Sequence, residues 1–377
     1  MWTKLVPVTA LIASVSLTGG TAYAEPTTPV GGEALGSRGL VVPAGVKKPP
    51  KSKATSYVIA DAGTGQVLAA KDAHGRYLPA STLKTLTALT LIPKLDKNRK
   101  IRPSQNACNQ EGSAVGLSPK ATYKVDDLFK ALMMSSGNDA AMALAETNGG
   151  LAKTMSDMNA EAKRLQANDT VAKTPSGLDK PGQSSSAYDL ALIARAGLAN
   201  PEFRRYISTK TSKFPAPKGY YEISNHNKLL WRYQGMIGVK NGWTSKAQAS
   251  FVGAATRGGH TIVVSIMRHQ GGFWDEITQL LDWGFSVRGK AAPVGQLVDP
   301  LPASALAAPQ QRPSAAAPAS PGTSVTPAAQ PPLLDTAASK QTDSTKTVGS
   351  LVIGGGLLFG LIWLGYGIRR KRGRSRL

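Results

Sequence analysis

The chain has 377 residues, 41% hydrophobic and 6% aromatic, with 45 Lys and Arg against 23 Asp and Glu and a formal net charge of +22. One cysteine, Cys108, excludes an internal disulfide framework. The basic balance favours anionic partners, and because both ends of the chain carry export signals these are wall polymers or lipid headgroups, not nucleic acid.

Residues 1–24 read as a signal peptide: Lys4, the apolar run "LVPVTALIASVSLTGG" and the small-x-small site Ala22-Tyr23-Ala24. A Pro/Gly/Lys linker, 25–53, leads to a body at 54–292, long enough for one large domain or two lobes. "TSYVIADAGTGQVLAAKDA" predicts a β-hairpin. "YLPASTLKTLTALTLI" predicts an apolar helix with Ser81 at its start, followed by a polar stretch from Asn98 to Tyr123. "KVDDLFKALMMSSGNDAAMALAETNG" is two helical runs broken at Ser-Ser-Gly-Asn, and "LAKTMSDMNAEAKRLQA" and "SAYDLALIARAGLANPEFRRYI" continue the helical block. Strand character returns in "GMIGVKNGWTSKAQASFVGAATRGGHTIVVSIM", with a turn at Arg257-Gly258-Gly259, before a last helix, "FWDEITQLLDWGFSV". Strands at both ends and helices between them predict an α+β fold, an antiparallel sheet flanked by helices with a mostly helical lobe. The cleft between sheet and lobe is the expected site.

Residues 293–347, rich in Pro, Ala, Ser and Thr, cannot bury a core and read as an extended tether. Residues 348–368 are uncharged and long enough to cross a bilayer. The basic tail 369–377, "RRKRGRSRL", places that flank in the cytoplasm. The expectation is a single-pass membrane protein with its body outside the cell.

Three short elements in the body carry chemistry. Ser81 and Lys84, three apart, share one helix face. A serine is a weak nucleophile without a base, and lysine is a base only if burial or nearby positive charge lowers its pKa. The bland alternative is a capping serine and a surface lysine. Ser136-Gly137-Asn138 sits at the helix break, where hydroxyl and amide either face a cleft or cap the two helices. Lys240-Asn241-Gly242 lies on a strand before a hairpin: the lysine suits a carboxylate, and the glycine permits close approach. Its alternative is a solvent-facing lysine beside a bulge. Ser104-Gln105-Asn106 and Lys180-Pro181-Gly182 share the spellings but lie in a polar stretch without helices and in a loop. His74, His226, His260 and His269 show no metal-ligand spacing, so neither metal nor cofactor is expected. Asp139 reads as a helix-end charge.

From about residue 54 to 290 these motifs, with "KTPSGLDKPGQSSSAYDLALIARAGLANPEF" and "SNHNKLLW", resemble the low-molecular-mass penicillin-binding proteins that act as D-alanyl-D-alanine carboxypeptidases. The resemblance implies a β-lactamase/DD-peptidase-like fold, with peptidoglycan stem peptides and β-lactam antibiotics as partners. It implies Ser81 as nucleophile, Lys84 as base and Ser136 as proton relay. Asn138 would hold a peptide amide, Lys240 and Thr244 the terminal carboxylate, and the N–H groups of Ser81 and Trp243 the oxyanion beside Gly242. The chain departs from the family's usual pattern at Asn241 (usually Thr), at Ser176 (usually His), and at Thr261, where some members carry Arg; a second β-domain is missing. Two rivals remain: a β-lactamase, which needs a deacylating Glu in an E-x-x-L-N element not found here, and a non-catalytic peptidoglycan-docking protein.

Overall fold

In the computed structural model, which describes residues 28–302, the apolar runs at the two ends of the body become the strands of one sheet. In chain order the elements are β1 (Leu40–Val41), β2 (Ala54–Asp61), β3 (Gln66–Lys71), α1 (Lys84–Leu91), β4 (Lys100–Ile101), α2 (Gln105–Cys108) and β5 (Tyr123–Lys124). The helical block follows as α3 (Val125–Met134), α4 (Asn138–Thr147), α5 (Leu151–Arg164), α6 (Ala187–Ala199) and α7 (Pro201–Ser208). Then come β6 (Thr211–Pro215), β7 (Tyr220–Ser224), α8 (Leu229–Arg232), β8 (Met236–Thr244), β9 (Gln248–Arg257), β10 (His260–His269), α9 (Trp274–Val287) and β11 (Gly295–Gln296). The main sheet runs β1-β3-β2-β10-β9-β8, with β11 also on β3, and every pairing is antiparallel.

Period two decides which residues face which layer. On β2, Val58 and Ala60 join the core under the helical lobe, while Tyr57 and Ile59 join the core under α9. On β10, Val263 and Met267 take the first side and Ile262, Val264 and Ile266 the second. Leu86 of α1, Leu128 and Leu132 of α3, and Leu190 and Ile193 of α6 cover one face; Ile277, Leu280 and Leu281 of α9 cover the other. Each such side chain contributes about 1.5–3 kcal/mol by leaving water. The fold is the expected α+β arrangement.

It differs from the sequence expectation in detail. The sheet reaches past the limits 54 and 292: β1 and β11 pair with β3, and Leu35 and Leu297 are fully buried. Their apolar residues are few and lie among Pro and Gly, so only the free edge of β3 makes them part of a core. The β6–β7 hairpin was not foreseen, because it buries little more than Phe214 and Ile223 and shows scant alternation. Ser104 belongs to a short helix after all: its Oγ accepts from Ala107 N at 3.0 Å and caps α2. The predicted signal peptide, residues 303–347 of the tether, the 348–368 span and the basic tail lie outside the described residues. Among the described residues, no helix is long and apolar enough to cross a membrane.

Candidate active site

Ser81 sits in a 3-10 turn, Ala80–Leu83, that feeds directly into α1. The turn is held from outside the helix. Ser250 Oγ on β9 and Thr82 Oγ1 each donate to Pro79 O at 2.6 Å. Ala80 is forced to a φ of +49°, a costly conformation for a residue with a Cβ. Gly177 makes room for it, since a Cβ there would stand 1.9 Å from Ala80 O. Ser81 makes no capping bond and Lys84 is fully buried, so the bland reading of both residues fails.

Lys84 Nζ lies 2.9 Å from Ser81 Oγ, 2.7 Å from Asn138 Oδ1 and 2.6 Å from Ser176 O. Burial, and then the charge of Lys240, holds its pKa well below the ordinary lysine value, with Asp139 opposing. The neutral amine has two hydrogens and one lone pair. Asn138 Oδ1 and Ser176 O can only accept, so both hydrogens are spoken for. The lone pair therefore points at Ser81, the one hydrogen-bonded neighbour among the described residues with a proton to give.

Lys240 on β8 is also buried, its Nζ donating to Asn241 O at 2.8 Å, and burial brings its pKa down to about 7. Two residues on, Gly242 brings β8 against the Ser81 turn: a Cβ there would be 2.6 Å from Ser81 N and 2.9 Å from Thr82 N. Backbone of β8 and the N–H of Ser81 thus share one small space, with Trp243 next in the strand and 69% exposed at the rim.

Ser136 and Asn138 lie at the break between α3 and α4. Ser136 is buried at φ +62°, and its hydroxyl has no hydrogen-bond partner among the described residues. Asn138 is already committed, its Oδ1 to Lys84 and its Nδ2 to Glu111 O at 2.5 Å. Thr244 is committed as well: its Oγ1 donates to Asp179 Oδ1 at 3.0 Å and accepts from Ala247 N. Asp139 stands in the first turn of α4, the helix-end charge expected, and its buried carboxylate accepts from the N–H groups of Val115, Leu117 and Ala140.

Sequence reasoning missed two contacts and misplaced one. Ser176 touches Lys84 through its carbonyl, so the change from the family's usual histidine leaves that contact open to any side chain. Asp179 was not singled out. The segment "TPSGLD" supplies both, and its place in one of the stretches that carry the resemblance is the available signal. Thr261 does not stand at the carboxylate end of the site. It pairs with Thr256, at the end of the sheet remote from Thr244, where it lines a pocket of about 700 Å3 with Ala62 and Ile237. The basic residue of β10 at the Ser81 end is Arg268, beside His269, which pairs with Ala249, itself the partner of Trp243.

The family model for D-alanyl-D-alanine carboxypeptidase matches residues 44–271. The carboxypeptidase DacB2 of Mycobacterium tuberculosis is 42% identical over 264 residues, covering 68% of this chain and 90% of that one. DacF of Bacillus subtilis is 31% identical, covering 62% of each chain. Among solved structures, the D-alanyl-D-alanine carboxypeptidase of M. tuberculosis H37Rv superposes with a TM-score of 0.65 at 40% identity, over 69% of this chain and all of that one. The Streptomyces K15 DD-transpeptidase gives 0.61 at 27% identity, over 64% of this chain and all of that one. The matched span includes Ser81, Lys84, Ser136, Asn138 and Lys240 in the geometry described, and this chain belongs to the D-alanyl-D-alanine carboxypeptidase family.

Proposed function

We propose that this chain removes the terminal D-alanine from peptidoglycan stem peptides through an acyl-enzyme on Ser81. The observation that carries the reading is a buried, uncharged-leaning Lys84 whose one free lone pair faces Ser81 Oγ at 2.9 Å. Lys84 takes the Ser81 proton as Oγ attacks the carbonyl carbon of the penultimate D-alanine. The developing oxyanion is met by the N–H groups of Ser81 and Trp243, which need no reorganisation. Ser136, with its hydroxyl free, passes the proton to the leaving amine. Lys240 attracts the terminal carboxylate. Thr244 joins it only by releasing Asp179, and Asn138 serves first to aim Lys84. Water then hydrolyses the ester, and a β-lactam, whose leaving group stays attached, leaves a longer-lived one.

The test is D-alanine release from a peptide ending in Lys-D-Ala-D-Ala, by the full chain and its Ser81→Ala variant. Turnover that the variant loses supports the reading. Peptide binding without release by either protein would support the docking rival instead.

Residues 1–24 as signal peptide, 303–347 as tether and 348–368 as anchor complete the proposal: a body held outside the membrane, near its wall substrate. Deleting 348–377 is expected to release the protein from the membrane fraction. A truncated chain that stays there would refute the anchor.

A further inference from the structure

His74, Asp169 and Asp189 are far apart in the sequence, which is why their spacing gave no metal signal. In the fold, one ligand atom from each lies within 4.8 Å of the others. With Val30, Gln166 and Asn168 they line a pocket of about 520 Å3. None of the three hydrogen-bonds to a residue of the Ser81 site.

Hydrogen accounting shows what this cluster lacks. His74 Nε2 lies 3.0 Å from Val30 O, and a carbonyl only accepts, so Nε2 carries hydrogen. The neutral ring then keeps its lone pair on Nδ1, 2.7 Å from Asp169 Oδ2. Two lone pairs at that distance repel, so a positive centre belongs between them, either a proton or a metal ion. Asp189, 1% exposed, is half satisfied: its Oδ2 accepts from Asp169 N at 2.8 Å and Thr170 Oγ1 at 2.7 Å. Its Oδ1 is buried with no partner among the described residues. A proton between His74 and Asp169 satisfies that pair and does nothing for this oxygen. A cation satisfies all three.

We propose that His74 Nδ1, Asp169 Oδ2 and Asp189 Oδ1 bind a divalent cation of the zinc class. One imidazole nitrogen and two carboxylate oxygens suit Zn2+, which keeps a fourth position for water; Mg2+ and Ca2+ prefer oxygen alone. The Val30 carbonyl fixes the ring tautomer, as outer partners of metal-bound histidines do. Arg76, 60% exposed, holds the other oxygen of Asp169 at 3.0 Å and leaves Oδ2 for the ion. Tetrahedral ligands about 2.0–2.1 Å from zinc stand roughly 3.3 Å apart. The His74–Asp169 pair would therefore open by about 0.6 Å to admit the ion. On binding, three metal–ligand bonds form and the proton between Nδ1 and Oδ2 goes to solvent, together with any proton on Asp189. No electron changes hands. The ion would clamp the segment that runs from His74 into Ser81 to the one that runs from Asp169 to Ser176, and both to α6.

The experiment strips the purified full chain with a chelator, dialyses it against Zn2+ and measures metal per chain by elemental mass spectrometry. About one tightly held zinc is expected in the wild type, with a rise in Tm that Mg2+ does not give. His74→Gln and Asp189→Asn should each weaken zinc at least about tenfold and abolish the shift. Circular dichroism checks that they fold; Asp189→Asn is nearly isosteric and tests the site should His74→Gln not fold. No stoichiometric zinc in the wild type, or undiminished zinc in folded Asp189→Asn, overturns the proposal. Because metal and Tm are the readouts, neither result depends on the peptidase reading.

Discussion

Gly242→Ala tests whether β8 and the Ser81 turn have to meet as closely as they do. The added Cβ would stand 2.6 Å from Ser81 N, 2.9 Å from Thr82 N and 2.9 Å from Ser250 Oγ. Ordinary contact is about 3.5 Å, so strand and turn have to part by about 0.9 Å. Two of the three clashing atoms are backbone, which cannot swing away as a side chain can. The displaced group is the Ser81 N–H, one of the two proposed oxyanion donors. A misplacement near 1 Å costs on the order of 10²-fold in rate, whereas overpacking costs about 1–3 kcal/mol in stability. The variant should therefore stay folded and acylate about 100-fold more slowly with a fluorescent penicillin, followed by stopped flow beside a thermal melt. Gly258→Asn is the control: Gly258 has a φ of +54° with nothing within 4 Å of a Cβ, and asparagine tolerates that backbone. Should Gly242→Ala acylate within threefold of wild type, the oxyanion assignment built on this contact is wrong.

The two buried lysines yield the other predictions. Acylation should lose rate at low pH as Lys84 takes a proton, and again on the alkaline side as Lys240, near 7 when buried alone, gives up the charge that attracts the carboxylate. A rate that climbed steadily to pH 10 would show Lys84 to be an ordinary lysine. Stability should behave differently. The folded pKa of Lys240 lies below the ordinary 10.5, so the unfolded chain binds the extra proton, and its contribution is greatest above 10.5 and declines as pH falls toward 7. Lys240→Met removes that penalty and is expected to gain about 1–3 kcal/mol at pH 7 in urea melts while losing acylation; a variant less stable than wild type would mean the ammonium is better solvated than its burial implies.

How much of this was legible in the sequence follows from the range of the forces involved. The short apolar runs of β2, β9 and β10, bounded by turn residues, and the apolar stripe of α9 are local signals, and the fold class follows from their order. The break at Ser136-Gly137-Asn138 was legible for the same reason. The edges of the sheet were not. β1 and β11 exist because β3 has backbone groups to satisfy, and no property of Leu40–Val41 or Gly295–Gln296 announces that. Within the site, Ser81 and Lys84 are one turn apart, so their meeting is a sequence fact. The Ser176 carbonyl, the Asp179–Thr244 bond and the His74–Asp169–Asp189 cluster each join residues tens of positions apart, through backbone or through groups with no motif of their own. Thr261 does not mark the place an Arg would take beside the site, because a strand has two ends, and only the pairing register tells which end of β10 approaches Gly242.

The site is also where the fold works against itself. Ala80 and Ser136 hold positive φ, and Lys84 and Lys240 are buried, with no carboxylate among the described residues hydrogen-bonded to either side-chain nitrogen. Each feature costs stability, and each meets a need of the proposed acyl transfer: a presented hydroxyl, a presented relay, a base whose burial favours its neutral form, and a cation screened from water until a carboxylate arrives. The surrounding structure holds them by over-determination. Pro79 O takes two hydroxyls, Gly177 clears Ala80 O, and Asp139 gathers three backbone N–H groups behind the cleft wall. Strain kept at one place by rigid neighbours is what a preorganised site requires, since reorganisation avoided in the ground state need not be supplied in the transition state. A protein that only docked on wall peptide would need the basic cleft. It would gain nothing from a lysine whose burial holds its pKa well below the ordinary value and whose amine is aimed, by two acceptors, at a single serine.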